Sequence, residues 1–134
     1  MRAVDQFFDT NVLLYLLSAD GAKADRAEKA LASGGVISIQ VLNEFASVAA
    51  RKLQMPLAEI REVLTTFRAV CKIVPLSEET HDKGLELAER YGLSIYDAMI
   101  VASALLAGCK TLWSEDMQDG QLIEKSLQIR NPFR

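Results

Sequence analysis

Phe7-Phe8-Asp9-Thr10-Asn11 is the most informative stretch of the chain, because an apolar run stops there abruptly on an acid. Residues 4–8 are short, aromatic and β-branched, which predicts a buried strand of a parallel sheet ending at Asp9. Residues 12–17 are six apolar residues in a row and predict a buried helix. Ligands of open α/β sheets bind at the carboxyl ends of the strands. Asp9 is therefore the first candidate for a functional residue, although Asp-Thr-Asn equally favours a helix N-cap or a turn.

The bulk composition indicates one globular domain spanning residues 1–134. Half of the residues are apolar and a quarter are charged, which is ordinary for a folded domain of this length. The net charge is −3, so the chain has no general attraction for nucleic acid. A site that handles RNA or DNA would have to bring its own cations, as metal ions or as a local Lys/Arg patch.

Neither the first residues nor the longest apolar stretch predicts export or insertion into a membrane. The first residues lack the apolar core of a signal peptide, and the longest apolar stretch, residues 98–109, is too short to span a bilayer. Cys71 and Cys109 suit neither a disulfide framework nor a zinc site, and small buried thiols are expected. We therefore expect a cytoplasmic protein that does not enter membranes.

Apolar strands alternate with amphipathic helices along the whole chain. Such alternation predicts an α/β fold with right-handed connections and a central parallel sheet of four or five strands flanked by helices. Two consecutive helices at residues 40–52 and 57–67 predict an αα-hairpin. After residues 4–8, the predicted strands are 36–39, 72–75, 111–113 and 127–129, and the remaining predicted helices are 12–17, 23–33, 77–91 and 94–108.

Three further acids stand at positions that this topology brings to the same sheet edge. Glu44 lies about one turn into a helix that follows a strand, Asp97 lies in the first turn of a nearly all-apolar helix, and Asp116 follows an apolar strand. Each has an ordinary explanation; Ser94 and Asp97, for example, have the spacing of a capping box. Several carboxylates that meet would nevertheless repel one another and raise one another's pKa values unless cations bind among them.

The chemistry of such a cluster is that of a hard metal site. No histidine or cysteine accompanies these acids, so the ligands would all be oxygens, which favours Mg²⁺ or Mn²⁺ over zinc. Carboxylate-bound Mg²⁺ or Mn²⁺ typically serves phosphate chemistry, because the cation generates a hydroxide and neutralises charge on the phosphorus centre.

Four segments in order resemble the motifs of PIN-domain ribonucleases, most closely the toxin components of VapBC-type toxin–antitoxin pairs. They are Phe8-Asp9-Thr10-Asn11-Val12-Leu13-Leu14-Tyr15, Ser38-Ile39-Gln40-Val41-Leu42-Asn43-Glu44-Phe45, Ser94-Ile95-Tyr96-Asp97-Ala98-Met99-Ile100-Val101-Ala102-Ser103-Ala104, and Trp113-Ser114-Glu115-Asp116-Met117-Gln118-Asp119-Gly120. The resemblance spans residues 7–120. No single motif is specific, but the ordered set is.

The resemblance implies a PIN-like three-layer fold and a metal-dependent endoribonuclease. It implies Asp9, Glu44, Asp97 and Asp116 as the acidic quartet. It further implies an RNA substrate, a homodimer, and a small antitoxin whose tail covers the site. Hydroxyl and amide groups supporting the site would come from Thr10, Asn11 and Ser114.

Three acids compete for the last position of the quartet. Side chains alternate in direction beyond a strand end, so Glu115 and Asp116 should face opposite ways, and the motif selects Asp116. Asp119 would return to the same side if residues 116–119 formed one helical turn, and it would then bind a metal more weakly.

Other readings are possible. A haloacid dehalogenase-type phosphatase needs a second acid where this chain has Asn11, and a phospho-receiver domain needs a lysine after its strand, whereas Lys110 precedes one. The non-enzymatic alternative is a PIN-like module that holds RNA or protein without cleavage. Basic residues could determine RNA specificity, although such residues are commonly only solvated charges. The candidates are Lys23, Arg26, Arg51, Lys52, Lys110 and Arg130.

Overall fold

A computed structural model describes residues 5–134, so the predicted start of the first strand at Val4 lies outside the described residues. Helices and strands alternate as expected. The strands are β1 Gln6–Phe8, β2 Gly35–Ser38, β3 Cys71–Val74, β4 Thr111–Trp113, β5 Leu122–Ile123 and β6 Leu127–Arg130; the helices are α1 Thr10–Leu14, α2 Gly21–Leu31, α3 Ile39–Arg51, α4 Leu57–Val70, α5 Glu78–Tyr91 and α6 Ile95–Leu106.

The strands form one sheet in the order β3-β2-β1-β4-β6-β5. Every pairing is parallel except β5 with β6, which confirms a mostly parallel sheet flanked by helices. The strand order reverses once, between the parallel neighbours β1 and β4, so the carboxyl ends of these two central strands lie side by side. That edge is where ligands bind in folds of this kind.

Within residues 5–134 the sheet has six strands, where the sequence predicts four or five. The missed strand, β5, has only two residues, of which Leu122 is exposed and Ile123 buried. It turns back into β6 through Glu124 and Lys125, both with positive φ. Non-glycine residues seldom adopt this backbone, and the usual sequence signal of such a hairpin turn is Asn-Gly or Asp-Gly. Glu-Lys carries no such signal, so the sequence did not predict the turn.

The predicted helix at residues 12–17 is two short pieces. Asp9 caps α1 by accepting a hydrogen bond from the Thr10 amide on its side chain, so the helix begins immediately after β1. After five residues the chain tightens into one 3₁₀ turn, Tyr15–Leu17. Asp9 is thus held between strand and helix, as its sequence position requires.

Helix α6 is the most buried helix of the fold, with seven successive buried residues from Ala98 to Ala104. It packs on β2 and β4 and against α5, where Gly84 lets Met99 approach so closely that a Cβ at position 84 would lie 2.5 Å from its sulfur. Helices α3 and α4 form the predicted αα-hairpin, joined by an edge-to-face contact of Phe45 and Phe67 at 4.9 Å.

Both cysteines are buried, as predicted. Within residues 5–134, none of the helices is long and apolar enough to cross a membrane.

Candidate active site

The four predicted acids line one cleft of about 380 Å³ at the carboxyl ends of β1 and β4. They reach it from a strand end, from the second turn of α3, from the first turn of α6 and from the loop after β4. The cleft is lined by Asp9, Thr10, Asn11, Leu14, Glu44, Ser47, Val48, Arg51, Lys52, Asp97 and Asp116.

Asp9 lies at the bottom of this cleft and is 6% exposed. Its Oδ1 accepts the Thr10 amide at 2.7 Å, and its Oδ2 accepts the Ser114 hydroxyl at 2.8 Å. Burial raises the pKa of Asp9 from 3.8 to about 6; the bonds from Ser114 and Thr10 oppose the rise, while the charges of Asp97 and Glu44 add to it. A carboxyl group that titrates near neutrality is suited to binding either a proton or a cation.

Glu44 is fixed by hydrogen bonds to both of its carboxylate oxygens. The Thr10 hydroxyl donates to Oε2 at 2.9 Å, and the Gln40 amide donates to Oε1 at 2.8 Å. The same Gln40 amide nitrogen donates to the backbone carbonyl of Tyr96 at 3.1 Å. Gln40 therefore ties α3 to the start of α6, and it holds Glu44 near Asp97.

Asp97 is half-buried in the first turn of α6. Ser94 caps this helix by accepting the Asp97 amide at 3.2 Å, as the spacing predicts. Burial raises the pKa of the Asp97 side chain, a hydrogen bond with Ser94 opposes that rise, and the charges of Asp116 and Glu44 add to it. The complete reciprocal capping box is found in α5, between Ser77 and Thr80.

Asn11 connects the two aspartates that follow strands β1 and β4. Its Nδ2 donates to Asp116 Oδ2 at 3.0 Å and, more weakly, to Asp9 Oδ2 at 3.4 Å. Its Oδ1 accepts the Glu115 amide at 3.1 Å, which holds the loop after β4 against α1. Ser114 is fully buried and accepts the Met117 amide while it donates to Asp9.

The donor chemistry of the cleft fits a hard divalent cation. Four carboxylates and the hydroxyl groups of Thr10 and Ser47 offer oxygen ligands, and the like charges of the carboxylates destabilise one another without a cation. Within residues 5–134, however, no three acid, imidazole or thiol groups already surround a single point closely enough to hold a metal. Mg²⁺ keeps several of its waters and binds through one or two carboxylates, so a complete cage is not required.

Asp119 does not join the cluster. Its Oδ1 accepts the Asn131 amide at 2.9 Å, and the residue lines a different cleft, beside Trp113 and Arg130. The predicted helical turn at residues 116–119 does not form, because Ser114 captures the Met117 amide and the Gly120 amide pairs with the Ile129 carbonyl. The loop therefore directs Asp119 toward the chain after β6.

Glu115 faces away from the acids, as the alternation of side chains predicts. Its Oε1 accepts the Tyr15 hydroxyl at 2.7 Å and its Oε2 accepts Lys23 Nζ at 2.9 Å. Burial raises the pKa of Glu115, but hydrogen bonds from Lys23 and Tyr15 outweigh it and lower the pKa below the usual value. Sequence analysis missed this cluster because its members are separated by up to 100 positions.

Arg51 and Lys52, two of the basic candidates for RNA specificity, are exposed at the rim of the acidic cleft. The Arg51 guanidinium donates to Ser47 one turn earlier at 3.1 Å. The sequence could have indicated this location, because both residues stand at the end of the helix that carries Glu44, about two turns further along the same face.

Residues 7–118 match the family model of the PIN domain. The chain belongs to the PIN domain family. No curated protein matches the sequence.

Solved structures with the same fold include components of toxin–antitoxin complexes. A toxin–antitoxin complex from Klebsiella pneumoniae is similar with a TM-score of 0.73 and 24% identity, over 95% of this chain and 97% of that one. DNA-bound VapBC from Salmonella typhimurium has a TM-score of 0.70 and 17% identity, over 97% and 99%. VapC20 of Mycobacterium tuberculosis, a sarcin–ricin loop cleaving toxin, has a TM-score of 0.66 and 19% identity, over 80% and 86%. These likenesses identify the fold as that of VapC-like PIN proteins.

Proposed function

We propose that this PIN-domain protein is a Mg²⁺- or Mn²⁺-dependent endoribonuclease and the toxin of a toxin–antitoxin pair, acting in the cytoplasm. The observation that carries the proposal is the convergence of Asp9, Glu44, Asp97 and Asp116 in one cleft, where burial and like charges raise the pKa of Asp9 to about 6. Carboxylates that burial and like charges make costly to ionise are typical of functional sites, and a bound cation would offset that cost. One structural neighbour is a toxin that cleaves the sarcin–ricin loop.

The cation would be held by Asp9, Asp97 and Asp116, with Asp119 excluded because it lies in another cleft. When bound, it supplies a water of lowered pKa and neutralises charge on the phosphate under attack. Thr10 and Ser114 orient the Asp9 carboxylate through its two oxygens, and Asn11 holds the Asp116 carboxylate at the opposite side of the cleft.

Glu44 is the group positioned to take a proton. Both oxygens already accept one hydrogen bond, from Thr10 and Gln40, which fixes the carboxylate and leaves further lone pairs for the proton of an attacking water. Arg51 and Lys52 at the rim carry the positive charge that a phosphodiester requires. As the water oxygen bonds to phosphorus, one of its protons passes to Glu44, the P–O bond to the leaving nucleotide breaks, and the leaving oxygen takes a proton from solvent.

The proposal is tested by cleavage of a labelled RNA across a Mn²⁺ titration. We expect Asp116→Asn and Glu44→Gln each to lower the rate by about 100-fold or more, since each removes a charged group from the reacting centre. Glu115→Gln is the matched control, because it removes one charge from the same loop but points toward Lys23. A wild-type chain that binds RNA and never cleaves it with either metal would identify a non-catalytic PIN module instead.

The same proposal includes a homodimer and an antitoxin. Several large apolar side chains are exposed around the α3–α4 turn and the start of α6: Leu53, Leu57, Ile95 and Tyr96. We expect a symmetric dimer to cover part of this surface, and an antitoxin segment to present an Arg or Lys to the acids. Light scattering at tens of micromolar is the test of the dimer; a monomer at that concentration contradicts it.

A further inference from the structure

A second cleft, of about 620 Å³, lies between α2 and the ends of β4 and β6. Four of its lining residues are basic and one is acidic, in a chain whose net charge is −3. We call it the basic cleft, and it is lined by Arg26, Lys29, Ala30, Trp113, Asp119, Arg130, Asn131, Pro132 and Arg134.

The cations of the basic cleft take part in none of the ion pairs of the described residues. Within residues 5–134, the ion pairs involve Lys23, Lys83 and Arg90, and none involves a basic residue of this cleft. Asp119, its single acid, accepts the Asn131 amide. Like charges gathered without partners oppose folding through mutual repulsion and attract an anion.

The basic cleft also contains an oriented aromatic ring. The Trp113 indole donates to Gln6 Oε1 at 2.9 Å, which fixes the ring, and the Arg130 guanidinium lies 5.6 Å from its centroid. Unpaired cations beside a partly exposed aromatic ring are the combination that binds single-stranded nucleic acid, because phosphates meet the charges and bases stack on the ring.

The basic cleft adjoins the candidate active site. The Trp113 carbonyl accepts the Asp9 amide at 2.9 Å, so the two clefts share the end of β4. On α2, Lys23 contacts Glu115, the neighbour of Asp116, and Lys29 lies about 9 Å further along the helix axis. An RNA strand that leaves the acidic cleft along α2 therefore reaches the basic cleft without passing to the opposite side of the molecule.

We propose that the basic cleft binds the sugar–phosphate backbone of the RNA substrate beyond the scissile bond. This inference rests on the proposed function for the identity of the RNA as substrate. Arg26, Lys29 and Arg130 bind phosphates, and Trp113 offers its ring to an unpaired base.

The first experiment measures binding alone, in the Asp9→Asn background so that no RNA is cut. A fluorescent RNA of about 20 nucleotides is titrated against this protein and against the same protein carrying Arg26→Gln and Lys29→Gln, both exposed helix positions where Gln is a good helix former. The matched control carries Arg61→Gln and Arg68→Gln, the same charge change on exposed positions of α4. Helix α4 lies beside β3, at the opposite edge of the sheet.

We expect the Arg26/Lys29 variant to reduce the slope of log Kd against log salt by about 1.4, since each single-strand phosphate contact contributes roughly 0.7. At ~0.1 M salt this is a loss of roughly 25-fold in affinity. The control should bind within twofold of its parent, at about the same slope. Equal loss in both variants would mean that only net charge matters, and no loss in either would mean that the cleft is not used; each result overturns the inference.

A second experiment separates this inference from the proposed function. In the catalytically intact chain, the Arg26/Lys29 variant should raise KM for the long RNA with kcat unchanged, and should cleave an RNA of about 4 nucleotides normally. A wild-type chain that cleaves no RNA overturns the proposed function but leaves the binding result readable. An unchanged KM in the Arg26/Lys29 variant overturns RNA binding by the basic cleft and leaves the proposed function intact. Polyglutamate serves as a second anionic probe. If the Arg26/Lys29 variant binds polyglutamate more weakly than its parent but binds RNA equally well, the cleft accepts an acidic protein segment and the inference fails.

Discussion

Asp9 illustrates at the scale of one residue how a structural and a functional role coexist. Its Oδ1 caps α1, which is the ordinary explanation of an Asp-Thr-Asn sequence. Its Oδ2 remains directed toward Ser114 and Asn11 at the bottom of the cleft. The two interpretations of the residue are therefore compatible, because a carboxylate has two oxygens and a helix cap requires only one.

The raised pKa of Asp9 predicts how stability changes with pH in metal-free buffer. The folded pKa is about 6 against 3.8 for the ordinary group, so the folded chain binds the extra proton between these values. The stability that this proton contributes is present below pH ~4 and is lost as pH rises through ~6, at up to about 3 kcal/mol. Asp9→Asn lacks this dependence.

Urea denaturation at pH ~4.5 and ~7.5 measures the difference. Wild type should lose stability relative to Asp9→Asn between the two values. Parallel pH curves for the two proteins would contradict the burial that raises the pKa. Added Mg²⁺ competes with the proton, so it should reduce the difference at the higher pH.

Asp97→Asn distinguishes a helix cap from a site residue. Ser94 supplies the cap through the Asp97 amide, which any residue at position 97 retains. The variant should therefore keep its melting temperature, within about 1 kcal/mol of stability, while RNA cleavage collapses. Ser94→Ala is the comparison, since it removes the cap and leaves the carboxylate. A variant at position 97 that melts much lower but cuts normally would reverse the assignment.

At the scale of elements, the contact between β1 and β2 depends on a glycine. A Cβ at Gly35 would lie 2.5 Å from a ring carbon of Phe8 and 2.9 Å from the Gln6 carbonyl oxygen. One of these neighbours is backbone and the other is a fully buried ring, so neither can move freely. The strand that ends at Asp9 is positioned by this close approach.

Gly35→Ala should therefore destabilise the fold by about 1–3 kcal/mol, as overpacking does. Gly21→Ala is the matched control, because no atom lies within 4 Å of the added Cβ and the residue opens α2. That change should be neutral or stabilising by roughly 0.4–1 kcal/mol. Thermal denaturation of both variants measures the difference, and equal effects would contradict the packing described for β1 and β2.

At the scale of the whole molecule, the clustered carboxylates couple metal binding to folding. A ligand that binds only the folded state adds about 1.4 kcal/mol at ten times its Kd, which for a domain of this size is about 5 °C in melting temperature. We expect Mg²⁺ or Mn²⁺ at millimolar concentration to raise the melting temperature, and Asp9→Asn to reduce the shift. Ca²⁺-free NaCl at equal ionic strength is the control. An equal rise in melting temperature in NaCl would mean that salt only screens the repulsion between the carboxylates, and it would contradict a metal site.

The features that follow from the sequence alone are those that depend on local patterns. The order of strands and helices, the acid at the end of β1, the capped start of α6 and the αα-hairpin all follow from periodicity and capping residues close together in the chain. The parallel topology follows from the alternation of these elements. With it comes the meeting of four acids at one edge, because carboxyl ends of parallel strands lie on the same side.

The features that depend on distant segments emerge only in the folded chain. Strand β5 is too short for any periodicity, and it exists because β6 is beside it. Asp119 faces Asn131, and Glu115 faces Lys23 and Tyr15. The basic cleft likewise combines α2 with residues that follow β6. These contacts join positions up to about 100 residues apart, and local patterns carry no record of which neighbour will be there; that is settled only when the sheet forms.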